Sequence, residues 1–279
     1  MDSDCIVCRI RQAHDMCRFV DAEECTRQQV LQSVMKILVD MDKVESNVEI
    51  GFMIQNEINR ILNLDDPYKT VKEESIRSAL AIFPRLKEIV LESPTPLRTA
   101  VELSIAGNVI DFGPSNSFNI EKSIDEVLSS KKQRFDWESF SDELKKAKSV
   151  LMLADNAGET VFDRALVDEI DIPVIYAVKS QPVMNDAILE DAIASGLEGS
   201  VEIIENGSPM AGTVLSKCSP EFLDLYHSVD MVISKGQSNF ETLVDEKRRI
   251  FFLFKVKCEL LSRRHEIPLN EYVLLDNYL

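Results

Sequence analysis

The feature that most constrains the fold is a change of character at residue 149. There Ser149-Val-Leu-Met-Leu-Ala-Asp-Asn-Ala-Gly-Glu159 gives a short apolar run, a small polar turn, and then an amphipathic segment over 160–169. Such a run is too short for a helix and reads as a buried strand feeding a loop and a helix. The unit recurs. Residues 173–178 are apolar and β-branched, with a helix expected over 186–194, and 201–204 and 231–233 are further strands leading into glycine-containing loops. A strand at 250–254 and a last one at 272–275 bring the expected number to five or six. Alternating strands and helices favour a mainly parallel sheet covered on both faces.

Ahead of residue 149 the pattern is helical. Apolar residues such as Val30, Val34, Ile37 and Leu38 recur at three- and four-residue steps. Thr26 with Gln29 has the form of a capping box, and Asp65-Asp66-Pro67 reads as the stop of one helix and the start of the next. Helices are expected over 70–90, 97–110 and 120–128, with Ser93-Pro94-Thr95-Pro96 as a linker and Gly113-Pro114-Ser115-Asn116-Ser117 as a loop. The chain is thus expected to divide into a mainly helical region, 1–146, packing on an α/β region, 147–279.

Charge narrows the function. Forty-eight acidic against 31 basic residues give a formal charge of −17, a field that repels nucleic-acid backbones. An anionic substrate therefore needs a local cation in its cleft. No stretch approaches the ~20 apolar residues of a membrane span, and the N-terminus lacks a basic flank before an apolar run, so a cytoplasmic location is expected. Six cysteines without an export signal read as thiols or metal ligands rather than disulfides.

In open α/β sheets ligands sit beyond the carboxyl ends of the strands. Three turns there carry polar groups: Asp155-Asn156-Ala157-Gly158-Glu159, Lys179-Ser180-Gln181-Pro182 leading to Asn185-Asp186, and Ser234-Lys235-Gly236-Gln237-Ser238-Asn239. Asp155, Asn156 and Asp186 offer hard oxygen ligands suited to Mg²⁺ or Mn²⁺. Gly158 allows close backbone approach, and Lys235 beside Gly236 reads as a fixed positive charge at the same edge, suited to a phosphoryl group. Each turn alone is more often a cap or turn former than a ligand site; their coincidence at successive strand ends brings the phosphate-site reading level with that one.

Four ordered stretches, AGNVIDFG (106–113), LADNAGE (153–159), KSQPVMNDA (179–187) and SKGQSNFETL (234–243), resemble the signature motifs of the damage-control phosphatases, a metal-dependent family first catalogued as a domain of unknown function. CIVC at 5–8, DPY at 66–68 and the late FFLFKVKC extend the resemblance over almost the whole chain, and the cysteine pair resembles the compact archaeal and bacterial subfamily. The resemblance implies a Rossmann-like α/β/α sandwich preceded by a helical region, with Asp155, Asn156 and Asp186 holding a divalent metal such as Mg²⁺, Mn²⁺, Co²⁺ or Ni²⁺. It implies Lys235 as a phosphate contact and Asn108 and Asp111 at the border of the cleft. Glu159 has the place of a substrate or supporting residue, and Lys179, Gly236 and Asn239 complete the candidate substrate-binding set. Sugar phosphates and phosphopantetheine derivatives are substrates of other branches; here the implied partner is a small phosphorylated metabolite. Either a water activated at the metal or Asp155 itself is the attacking group, and the sequence leaves both open.

Two other readings compete. A carboxyl methyltransferase using S-adenosylmethionine fits a sheet of this type, although no G-x-G-x-x-G follows any expected strand. A metal-binding or redox module centred on Cys5 and Cys8, with His14 and Cys17 nearby, would leave Asp155, Asp186 and Lys235 without a role. The spacing of that cluster is not a zinc-finger spacing, and ordinary buried cysteines are the reading taken, with a second metal site at Cys5 and Cys8 as its alternative. Cys218 and Cys258 read as core residues.

Overall fold

A computed structural model describes residues 2–40, 47–108, 120–130 and 132–279. The expected Gly113–Ser117 loop lies outside them, as does Asp111.

Three helices open the chain: α1 (Ser3–Phe19), α2 (Glu24–Val39) and α3 (Asn47–Leu62). They bury Val30, Val34, Leu38, Ile54 and Ile58 in a core of their own, closed by Tyr68 and touched by Met184 from the far half of the chain. The capping box expected at Thr26 does not form, because α2 already begins at Glu24 and Thr26 lies inside its first turn. Between α2 and α3, Glu57 accepts from the Ser33 hydroxyl at 2.5 Å and from Arg60 Nε at 2.8 Å. The Arg60 and Ser33 hydrogen bonds lower the Glu57 pKa from 4.5 to about 2. Its stabilising contribution is therefore complete above pH 4.5 and is lost as pH falls toward 2. Glu57→Gln is expected to flatten this acid limb while leaving the acid loss from other groups in place, as read by urea unfolding at neutral and acid pH.

Next come α4 (Lys69–Glu92), α5 (Pro96–Gly107), α6 (Ile120–Ser129) and α7 (Trp137–Leu144). Pro96 stands at the first position of α5, where its missing N–H costs nothing. From residue 150 strands and helices alternate: β1 (Val150–Leu153), α8 (Thr160–Val167), β2 (Val174–Val178), α9 (Leu189–Ala194), β3 (Glu202–Glu205), α10 (Pro220–Ser228), β4 (Met231–Lys235), α11 (Gln237–Leu243), β5 (Phe251–Lys255), α12 (Glu259–His265) and β6 (Tyr272–Asp276). These strands form one six-stranded sheet in the order β3-β2-β1-β4-β5-β6, parallel except for the antiparallel β5–β6 pair. The mixed α/β architecture and the mainly parallel sheet are as expected.

Side chains alternate across the sheet as the strand period requires. Val150 and Met152 face a core shared with α4, α5, α6 and α8, whereas Leu151 and Leu153 face one shared with α10 and α11. The two outer strands are treated differently. β6 is covered by a strip of the N-terminal half: Leu274 N–H donates to the Arg134 carbonyl at 3.1 Å, and Asp136 N–H to the Leu274 carbonyl at 2.8 Å. β3 is left open, and the glutamates at its two ends, Glu202 and Glu205, are exposed. Among the described residues no helix is long and apolar enough to cross a membrane.

Candidate active site

The chain runs β1 to β3 toward one edge and β4 to β6 toward the other, so the crevice where the direction reverses lies between the carboxyl ends of β1 and β4. β1 delivers Asp155 and Asn156 to that place. A second loop is pinned against them: Ala187 N–H donates to the Asp155 carbonyl at 2.7 Å, Ala157 N–H to the Asn185 carbonyl at 2.8 Å, and Asn156 and Asp186 form an isolated antiparallel bridge. The helix expected from Asp186 begins only at Leu189; its start is fixed by Asp191, whose carboxylate accepts from Ile188 N–H at 3.1 Å. Asp186 is thereby freed from helical geometry and held beside Asn156.

The side chains interlock. Asn108 Nδ2 donates to Asp155 Oδ2 at 3.0 Å and to Glu159 Oε1 at 2.6 Å. Asn156 Nδ2 donates to the same two oxygens, at 3.1 and 2.5 Å. Asp155, Asn156 and Asp186 are buried to 7, 8 and 4% exposure. Burial, then the neighbouring charges of Glu159 and Asp186, hold the Asp155 carboxyl well above the ordinary range, although Lys257 and Lys179 pull it back. Burial likewise pushes Asp186 up to about 6 against the opposing pull of Lys179. Lys179 Nζ stands 3.6 Å from Asp186 Oδ2, beyond hydrogen-bond range, and that oxygen has no hydrogen-bond partner.

A buried carboxylate oxygen without a donor, next to a second carboxyl that burial and repulsion disfavour as an anion, is an arrangement a hard cation would satisfy. Among the described residues no three His, Cys, Asp or Glu side chains form a ready cage. The candidate set has two carboxylates, and Asn156 would supply its third donor by turning Oδ1 inward. The donor types fit a hard divalent ion.

Lys235 differs from its expected place. It is the last residue of β4 rather than part of a turn, and its side chain is fully buried. Nζ donates to Asp163 Oδ1 at 2.5 Å, to the Ser104 carbonyl at 3.0 Å and to Glu159 Oε2 at 3.2 Å. Burial opposes its charge, but Asp163 and Glu159 outweigh burial and raise its pKa. Ser104 and Tyr176 hydroxyls, each at 2.7 Å, complete the shell of Asp163. Asn239 likewise points inward, bridging the Ala154 and Lys235 carbonyls at 2.9 and 2.7 Å and thus tying the ends of β1 and β4 together.

Gly236 follows with φ 79, and a Cβ there would fall on the Asp155 carboxylate. Gly236→Ala is therefore expected to displace Asp155 and lower turnover by about 10²-fold, since misplacement near 1 Å costs that much. Steady-state kinetics on folded protein, checked by circular dichroism, reads this effect.

Three contributors escaped sequence reasoning. Asp163 had a signal, being four residues after Glu159 on one helical face. Lys72 of α4, 2% exposed, pairs with Asp66 at 2.8 Å and Asp191 at 2.9 Å, locking the helical half to α9. Lys257, in the late FFLFKVKC stretch, is exposed and within electrostatic reach of Asp155.

Comparison with known proteins agrees over the full length. The model of the damage-control phosphatase ARMT1-like domain matches residues 1–273. A damage-control phosphatase of Pyrococcus horikoshii is 32% identical, the alignment covering 98% of this chain and 97% of that one. A damage-control phosphatase of Archaeoglobus fulgidus is 29% identical over 96% of both chains. The crystal structure of a DUF89 family protein from P. horikoshii superposes with a TM-score of 0.90 at 30% identity, covering 99% of each chain. On this evidence the chain belongs to the damage-control phosphatase family with an ARMT1-like domain.

Proposed function

We propose that this protein is a divalent-cation-dependent phosphatase that hydrolyses a small phosphorylated metabolite at the crevice between β1 and β4. The observation that carries the reading is the convergence of Asp155, Asn156 and Asp186 there, with the buried Asp186 Oδ2 lacking a donor. Relatives named damage-control phosphatases support the reaction class. Neither methyl transfer nor a role confined to the cysteines accounts for these buried carboxylates.

In this reading Asp155, Asn156 and Asp186 hold the cation, which supplies charge to offset the phosphoryl oxygens and to activate the attacking group. Asn108 and Asn156 fix the Asp155 carboxylate through Nδ2 donors, orienting it equally as ligand or as nucleophile. Lys235 acts through Glu159, whose second oxygen it holds while the first accepts from the two amides. Lys257 is exposed and within electrostatic reach of Asp155, and in this reading it adds positive charge for an incoming phosphate dianion.

The test is turnover of a panel of small phosphate esters by chelated wild-type protein, with Mg²⁺, Mn²⁺, Co²⁺ or Ni²⁺ restored singly, beside Asp155→Ala. Activity restored by cation and absent in the variant supports the reading. Turnover that persists in chelator, or folded protein inert with every cation, overturns it.

A further inference from the structure

Met184, two residues before Asp186, is held in a backbone conformation that suits its side chain poorly. Asp186 N–H donates to the Val183 carbonyl at 3.0 Å, closing a four-residue turn whose first central residue is Met184, at φ 48°. Glycine, asparagine or aspartate ordinarily takes such a position, because a positive φ brings Cβ close to the following carbonyl oxygen. A methionine persists there where its surroundings over-determine it. The half-buried side chain reaches the other half of the molecule: it packs against the core of α1, α2 and α3. With Met16, Ile54, Ile58 and Tyr68 it also lines a cavity of about 20 Å³, room for a single water.

The far end of the same segment is held by charge. Asp191 accepts from Ile188 N–H at 3.1 Å and from Lys72 at 2.9 Å, and Lys72 also pairs with Asp66 at 2.8 Å. The Asp66-Pro67-Tyr68 stretch therefore serves both ends, Asp66 through Lys72 and Tyr68 through the cavity it shares with Met184. Between these anchors the segment meets the β1 loop by backbone bonds at Asn185 and Ala187, while Asp186 Oδ2 has no hydrogen-bond donor to fix it. We propose that Met184 is a positioning residue for the cation site: docked on the helical core, its side chain sets where the Asp186 carboxylate stands.

The inference rests on the reading of Asp155, Asn156 and Asp186 as cation ligands. It gives the helical region a part in the chemistry without any of its residues touching the cation. Losing the methionine side chain lets the turn relax to an unstrained form, and Asp186 moves with it. Ligand distances in a cation site hold to within about 0.2 Å, so even a small displacement registers as lost affinity. A merely structural methionine would instead register as lost stability.

The experiment titrates full-length, metal-stripped wild type, Met184→Gly, Met184→Leu and Asp186→Ala with Mn²⁺ alone, the free ion being read by electron paramagnetic resonance. Tm and amide exchange over 183–188 are measured in chelator. Binding that wild type shows and Asp186→Ala lacks defines the site. Met184→Gly relieves the strained φ and removes the contact; it is expected to weaken this binding at least about tenfold, the scale of losing an outer-shell partner. It is also expected to speed exchange at the Asp186 and Ala187 amides and to leave Tm within about 4 °C of wild type. Met184→Leu, close in volume, restores most of the affinity. Glu266→Gly, which relieves a similar strain at φ 54° on the exposed end of α12, leaves it unchanged. The proposal is overturned if Met184→Gly binds Mn²⁺ as wild type does, if Met184→Leu binds as weakly as Met184→Gly, or if affinity falls only where Tm falls with it. Should wild type and Asp186→Ala bind alike, the carboxylate reading itself fails and this inference with it; binding lost in Asp186→Ala but kept in Met184→Gly overturns this inference alone.

Discussion

Asp186→Ala is expected to lower cation-dependent turnover by about 10²–10³-fold while leaving the chelated protein as stable as wild type or more so. The activity loss has the scale of removing one preorganised electrostatic group from a reacting centre. The stability half follows from the cost of keeping this carboxylate: Asp186 is 4% exposed, its Oδ2 has no hydrogen-bond partner, and burial pushes its pKa to about 6. Near neutral pH the folded, chelated protein therefore confines an anion that would be better solvated in the unfolded chain, and Lys179, at 3.6 Å, offsets only part of that cost and keeps the Gly212 carbonyl as a partner when the carboxylate is removed. Substitution removes that cost along with the function, the trade expected of a site strained for activity. The checks are kcat/KM with saturating cation and Tm in chelator. Loss of both together would make Asp186 structural.

Lys235→Met is expected to destabilise the fold by about 3–5 kcal/mol, the usual cost of leaving a buried charge without its partner. For a chain of this size that is about 10 °C in Tm. Lys235, Glu159 and Asp163 are all fully buried, and removing the ammonium leaves two carboxylates facing one another across the end of β4. Ser104 and Tyr176 still donate to Asp163, but Glu159 keeps only the amides of Asn108 and Asn156. Urea unfolding of Lys235→Met, Asp163→Asn and the double variant separates lost charge balance from lost packing. If charge balance dominates, the double variant is more stable than Lys235→Met alone; if it is not, the cost is one of shape.

The sheet was legible because its central strands are buried on both faces, which makes most of each an apolar run: Val150–Leu153 and residues 251–254 are cases where burial and hydrophobicity coincide. The turns after β1 and β2 were legible for the same reason, since Asp155 and Asp186 are the polar residues that follow such runs. What could not be read was anything decided by a partner far along the chain. Lys235 looks like the opening of a turn beside Gly236; it is buried because Glu159, Asp163 and the Ser104 carbonyl meet it there. Lys72 lies in a run of charges that reads as a solvated helix face, yet tertiary pairing with Asp66 and Asp191 buries it. Helix starts failed locally: Asp191 rather than Asp186 organises α9, and Thr26 is passed over because α2 has already begun.

The open side of the sheet has its own consequence. Two copies of this protein meeting edge to edge through β3, antiparallel about a two-fold axis centred between Ile203 and Ile204, would set Glu202 of each against Glu205 of the other, and like charges directly opposite are destabilising. The opposite side offers no template, since its central residue is already bonded to Arg134 and Asp136. A six-stranded sheet whose edges would otherwise template fibrils is thus closed by a fence at one end and a plug at the other.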